Sequence, residues 1–231
     1  MSWFSHFLHS SIGQKLIMSL TGLFLILFLV VHLIGNFQLL AEDGGQAFNL
    51  YTKFMTSNPL IKTVSYGLYF FILLHTWQGI SLWLKNRAAR GSQGYAVKRT
   101  RAVGTSATLS SRMAWLGIIV FVFIVIHMVQ FWLQMKLGNT TMVTYPGHEG
   151  EYKDLYSMVI AVFKNPAFVI FYVFSMYVIA LHLWHGFQSS FQTLGLNHSK
   201  YTPSIKLIGK AYSILVPAGF AIIPVIVYLF R

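Results

Sequence analysis

The sequence predicts an all-α integral membrane protein of five transmembrane helices in one domain, residues 1–231, and three observations carry the prediction. First, 55% of the residues are hydrophobic and 10% charged, with a mean hydropathy of +0.61. That is too little polar surface to coat a soluble globule of this size. Second, five windows run almost without charge, at about 16–40, 61–84, 113–135, 166–187 and 207–230. Each is long enough to cross roughly 30 Å of hydrocarbon at about 1.5 Å per residue. Third, the basic residues fall mainly on one side of these windows. Lys15, the 85–112 loop and the 189–210 loop hold 11 of the 17 lysines and arginines, whereas the opposite loops hold all five acids. The positive-inside bias places the N-terminus in the cytoplasm and Arg231 outside.

Helix I, about 16–40, is too long for a cleaved signal peptide and no small-residue cleavage site follows it. Helices II (about 61–84) and IV (about 166–187) are each introduced by a short amphipathic segment, "LYTKFMTSNPLIK" from Leu50 and "LYSMVIAVFKNPAFV" from Leu155. In both, Asn-Pro starts the membrane helix, since asparagine caps an N-terminus and proline suits the first helical position. Helix III (about 113–135) follows the longest basic loop. Helix V (about 207–230) contains Pro217 and Pro224 and reads as a kinked packing helix.

Composition excludes several functions. With no cysteine, the chain holds no iron–sulfur cluster, c-type haem attachment or disulfide of its own. No loop has a glycine-rich phosphate cradle. The net charge of +12 is a membrane-surface feature rather than a nucleic-acid footprint.

An internal repeat singles out four histidines. Pro59 precedes His75 by 16 residues and Pro166 precedes His182 by 16; glycines follow four residues later, at Gly79 and Gly186. Gly22 and Gly117 lie ten residues before His32 and His127. Helices I–II and III–IV therefore read as a parallel pseudo-repeat. From the helical rise, His32 and His127 lie about 10 Å below the outer surface, and His75 and His182 roughly 9–13 Å from the cytoplasmic one. Two layers of two imidazoles suit bis-histidine ligation of two b-type haems enclosed by the bundle, making His32, His75, His127 and His182 the candidate metal ligands. The repeated glycines leave room where a flat macrocycle meets a helix backbone. His185 has Gln78 as its counterpart in the first repeat and reads as a partner for a haem propionate or water rather than an axial ligand. His6, His9, His148 and His198 fall outside the windows and read as solvated.

The stretch "SLTGLFLILFLVVH" ending at His32, the single histidines of helices II and III, and "HLWHGFQSSFQTLG" from His182 to Gly195 resemble the single-chain dihaem cytochrome b anchor of bacterial succinate dehydrogenases and fumarate reductases. The resemblance extends from about Gln14 to the end of helix V. It implies an inner-membrane subunit that carries an FAD flavoprotein and an iron–sulfur subunit on its cytoplasmic face and exchanges electrons with a membrane quinone, menaquinone by analogy. It implies that His75 and His182 ligate the haem nearer the iron–sulfur subunit, that His32 and His127 ligate the distal one, and that Ser19 approaches a propionate of the proximal haem. The chain departs from some relatives in having Ala180 where they have a glutamate and Thr193 near where they have a basic residue.

Electrons entering from the cytoplasm place the quinone toward the outer side. There Gln38 is a candidate hydrogen-bond donor to a quinone carbonyl and Glu42 a candidate proton source. Competing readings are the cytochrome b of a membrane hydrogenase or formate dehydrogenase, whose soluble partner lies on the outer side, and a non-redox transporter. The transporter reading expects broken helices or intramembrane charge pairs, and no window contains Asp or Glu.

Overall fold

The computed structural model describes residues 3–91 and 107–231. Lys98, Arg99 and Arg101, which contribute to the predicted cytoplasmic basic loop, lie outside the described residues. A short α1 (Trp3–His9) leads into α2 (Ser11–Phe37), followed by α3 (Gln46–Ser57) and α4 (Pro59–Arg90). Next come α5 (Ala107–His127), a π-helical turn (Met128–Leu133), α6 (Gln134–Leu137), a two-stranded hairpin β1–β2 (Met142–Val143 and Tyr152–Lys153), α7 (Leu155–Phe163), α8 (Pro166–Thr193) and α9 (Thr202–Phe230).

Among the described residues, four helical stretches have both the length and the apolar composition to cross a membrane: Ser11–Leu40, Arg112–Leu137, Pro166–Thr193 and Thr202–Phe230. They coincide with the predicted helices I, III, IV and V. The fifth predicted span corresponds to α4. At 32 residues, α4 is about 48 Å long, so length is not its deficit; composition is. Thr63, Ser65, Tyr66, Tyr69, His75, Thr76, Gln78 and Ser81 dilute its apolar residues.

The helix starts follow from local chemistry. Ser10 accepts a hydrogen bond from the Gly13 amide at the head of α2. Asn58 accepts from the Leu60 and Ile61 amides, with Pro59 next to it, and Asn165 accepts from the Ala167 amide beside Pro166. Both Asn-Pro pairs act as the sequence indicates, each satisfying amides that would otherwise be orphaned at the helix start. α9 runs on through Pro217 and Pro224. The missing amides free the carbonyls of Ser213 and Phe220 from their usual partners.

Packing centres on α8, which lies against α9, α5 and α2, while α4 packs mainly on α2 and more sparingly on α5. Two apolar clusters result. One, in the half of the bundle covered by α3 and α7 and called the outer half for that reason, joins Leu39, Phe48, Phe123, Val159, Phe163, Tyr172 and Val227; the other, in the opposite, inner half, joins Ile26, Leu183 and Phe187. Large apolar side chains such as Leu27, Trp77, Ile170 and Leu215 point outward, as a lipid-facing surface requires.

Above the bundle, α3, α7 and the hairpin form a cap held by one buried amide. Asn49 is 1% exposed. Its Nδ2 donates to the Tyr145 hydroxyl at 2.7 Å and to Asp154 Oδ1 at 3.0 Å, and its Oδ1 accepts from the Tyr156 amide at 3.0 Å. Gly45 enters α3 with φ +89°, and a Cβ there would run into the Tyr156 ring. Arg231, directly after α9, donates to the Leu40 and Ala41 carbonyls, tying α9 to the 3₁₀ turn that follows α2.

Candidate functional site

A cavity of about 1600 Å³ runs along the bundle axis, from Trp83 and Asn86 at one end to Tyr51 and Met55 of α3 at the other. A site for one small ligand takes up roughly 300–1,000 Å³, and close-packed interiors hold few voids larger than a water. The bundle is therefore built around a large volume rather than packed across it. α3 and α7 roof the outer end, contributing Phe48, Thr52, Leu155 and Val159 to the wall.

All four repeat histidines line this cavity, and the fold brings them together in pairs. His32 of α2 faces His127 of α5, ring centroids 5.8 Å apart and planes at 80°. His75 of α4 faces His182 of α8, centroids 6.3 Å apart and planes at 69°. A metal–imidazole bond is roughly 2 Å, so two imidazoles on opposite sides of one metal have centroids roughly 6 Å apart. Both pairs meet that spacing. Among the described residues no three or more His, Asp or Glu side chains cluster as a metal site; two imidazoles per iron is what an axial b-haem site needs.

The hydrogen bonds on Nδ1 test the fit further, because a ligating histidine coordinates through one nitrogen and donates its other N–H. Thr21 donates its hydroxyl proton to the Ile17 carbonyl at 2.8 Å, so at the 3.1 Å contact with His75 it accepts from Nδ1–H. Tyr172 donates to Gln130 Oε1 at 2.6 Å and accordingly accepts from Nδ1–H of His127 at 3.3 Å. In each pair one histidine is thereby held as the tautomer with a free Nε2 lone pair. The other two are not. His182 Nδ1 is buried without a partner. Asn36 presents its amide Nδ2, a donor, to His32 Nδ1 at 3.3 Å, which opposes ligation through Nε2.

The glycines complete the fit. Gly22, Gly79, Gly117 and Gly186 all line the cavity. A Cβ on Gly22 would lie 3.2 Å from His75 Cε1, and one on Gly117 3.7 Å from His182 Cε1; at Gly186 it would meet no protein atom within 4 Å. The spacing of the two pairs and the small residues beside them are what two bis-histidine haems would need, and His75 and His127 are the two imidazoles whose Nε2 is held free.

The remaining predicted residues stand apart. Ser19 is buried, donates to the Lys15 carbonyl at 2.9 Å and does not line the cavity. His185 lies off the cavity too, half-buried, with Nδ1 lacking a partner; Gln78, its repeat counterpart, likewise has an unpartnered Oε1. Gln38 is half-buried in the 3₁₀ turn Gln38–Leu40 and Glu42 is exposed, and neither reaches the cavity. The polar groups that reach it near the outer end include Asn36, Tyr51, Thr52, Thr56, Ser65 and Tyr69. Tyr51 lies against Gly35, where a Cβ would collide with its ring. Burial raises the Tyr51 phenol above its ordinary pKa, so it remains a hydrogen-bond donor.

Sequence reasoning missed Thr21, Tyr172, Gln130 and Tyr51. Thr21 adjoins the repeat glycine Gly22, which marks its face of the helix. Tyr172 and Gln130 carry only the weak signal of a polar group inside an apolar window. The π turn that places Gln130, a form often found at functional sites, has no sequence signature at all. No family model, curated protein or solved structure matches the chain.

Proposed function

We propose that this chain is the membrane-anchoring, dihaem electron-transfer subunit of a bacterial succinate:quinone oxidoreductase. The observation that carries the reading is the stacking of two imidazole pairs at metal-bridging distance along one cavity. In it His32 and His127 hold the outer haem b, and His75 and His182 the inner one, nearer the cytoplasm. Two b haems supply one-electron carriers that link an iron–sulfur partner, itself served by an FAD flavoprotein, to a membrane quinone. The chain's own residues fix the axial nitrogens, keep water from the bundle axis and shape the quinone's surroundings.

In this reading α4 is the fifth span, because His75 must stand level with His182 and α4 packs between α2 and α5. The N-terminus is then cytoplasmic in the inner membrane, and the soluble partners sit on the side of Lys85, Arg87, Lys200 and Lys210. A quinone of the menaquinone class takes hydrogen bonds at the outer end of the cavity, beneath α3. Tyr51 is a donor that reaches it, the Thr52 hydroxyl proton being given to the Asn49 carbonyl at 2.9 Å; Gln38 and Glu42 lie outside the wall, which leaves Glu42 to relay protons from the water side.

Purification of the chain from a haem-replete membrane tests the proposal, with pyridine haemochrome quantification and identification of the proteins that accompany it. The expected result is two haems b per polypeptide and a flavoprotein with an iron–sulfur protein in equal amount. One haem or none overturns the dihaem reading; two haems with a nickel or molybdenum protein as companion moves the chain to the hydrogenase or formate dehydrogenase class.

A further inference from the structure

Resting on the dihaem reading, we infer that Tyr172 is a positioning residue for the outer site, with Gln130 as the group that sets its direction. A phenol has one proton and spare acceptor capacity. The Tyr172 proton goes to Gln130 Oε1 in the shorter of its two contacts, at 2.6 Å, which leaves an oxygen lone pair for Nδ1–H of His127 at 3.3 Å. The chain Gln130–Tyr172–His127 therefore has one proton order, and that order leaves Nε2 of His127 as the unprotonated nitrogen.

The ring holds the hydroxyl oxygen in place. Tyr172 is 6% exposed, and four phenylalanines pack edge-on around its ring: Phe123 at 5.2 Å, Phe131 at 6.3 Å, Phe163 at 5.0 Å and Phe171 at 5.7 Å between centroids. Gln130 sits in the π turn directly after His127, so the winding of that turn sets ligand and orienting amide relative to each other. His32, across the cavity, meets a donor at Nδ1 instead, the Asn36 amide at 3.3 Å. The outer pair thus has one oriented ligand, and Tyr172 orients it.

An acceptor on Nδ1–H increases the electron donation of the imidazole through Nε2 and favours the oxidised metal. Removing it raises the reduction potential of that site alone.

The experiment is a redox titration with low-temperature electron paramagnetic resonance on the purified complex, comparing wild type, Tyr172→Phe and Gln130→Leu. His127→Ala and His75→Ala identify which signal belongs to which haem. Tyr172→Phe is expected to retain two haems, raise the midpoint of the outer one, alter its low-spin signal and leave the inner haem unmoved. Gln130→Leu, which keeps the phenol but frees its proton to turn toward Nδ1, is expected to shift the same haem in the same direction by less. Unchanged potentials and signals for both haems in Tyr172→Phe overturn the positioning role while the dihaem reading stands. If Tyr172→Phe does not accumulate, an unmoved outer haem in Gln130→Leu overturns it equally. Fewer than two haems in the wild type fells the dihaem reading, and the inference with it.

Discussion

The outer and inner halves of the bundle share one repeat and enclose it differently. In the outer half, His32 and His127 lie in an aromatic sleeve: Phe28 stacks on His32, Phe220 tilts against it, and Phe123, Phe131 and Tyr172 surround His127. A cap of α3, α7 and the hairpin closes this half. In the inner half, His75 and His182 have fewer aromatic neighbours, a threonine contact at Thr21 and, nearby in sequence, Gln78 Oε1, Gln188 Oε1 and His185 Nδ1, which are buried atoms without partners among the described residues. One half is sealed by packing, while the other keeps unspent hydrogen-bonding capacity. The repeat fixes where the imidazoles stand; the layers of protein added around it decide what each pair touches.

The largest effect that tests this comparison is ligand removal. His127→Ala is expected to abolish the outer haem and leave the inner one, and His75→Ala the reverse, each giving half the wild-type haem content with the other haem's spectrum intact. Loss of both haems from either change would mean that the halves are not independent sites. His185→Ala is expected to retain both.

Next in size is a change that adds volume without touching protein. Gly186→Val extends a side chain into a part of the cavity wall where a Cβ meets no atom within 4 Å, and valine costs a helix less than glycine does. If the cavity were merely loose packing, the variant would fold at least as well as the wild type. With a macrocycle in that space, inner haem content falls while the outer haem stays. Haem quantification together with thermal unfolding of the membrane-extracted protein separates the two outcomes.

These contrasts also mark how far the sequence could be read. The histidines, their glycines and the Asn-Pro starts were legible because each depends on spacing along one chain: 1.5 Å per residue sets depth, and a cap needs only its neighbours. The pairing of His32 with His127, and of His75 with His182, follows from depth alone. What spacing does not carry is azimuth and partnership. Gln38 and Glu42 stand near the end of α2 but do not line the cavity, whereas Tyr51, on the next helix, does. Thr21 and Tyr172 are chosen by contacts between residues 54 and 45 positions apart. The low charge of α4 over its length reads as a span, while its hydroxyl, imidazole and amide side chains, which hydropathy counts as polar, lower its apolar character.

The cap supplies a third test, confined to the outer half. Asn49→Ala removes three buried hydrogen bonds and leaves the Asp154 carboxylate and the Tyr156 amide short of a partner. Unsatisfied buried groups cost roughly 1–3 kcal/mol each, so the outer layer is expected to loosen by an amount of that order. Hydrogen exchange should rise in α3 and α7 and stay unchanged in the inner halves of α4 and α8. Uniform deprotection of the whole bundle would show that the cap is not a separate layer.

The smallest effect is a dependence on pH through Asp154. Burial tends to raise the pKa of its carboxyl; hydrogen bonds from Ser157, at side chain and backbone, and from Asn49 outweigh it, and the net shift is downward. A carboxyl whose pKa is lower in the folded cap than in the opened one stabilises the cap above the ordinary carboxylate range, where both forms are ionised, and that contribution fades as pH falls through the lower folded value. The group is partly exposed, so solvent screens it and the effect is modest. Exchange at the Ser157 amide, whose hydrogen goes to Asp154 Oδ1 at 3.0 Å, should therefore become faster than intrinsic chemistry predicts only on the acid side of that range. Asp154→Asn should remove the dependence while weakening the cap at neutral pH. An acid-induced opening that persists in Asp154→Asn would assign the titration to another group and leave the cap's hold to Asn49 alone.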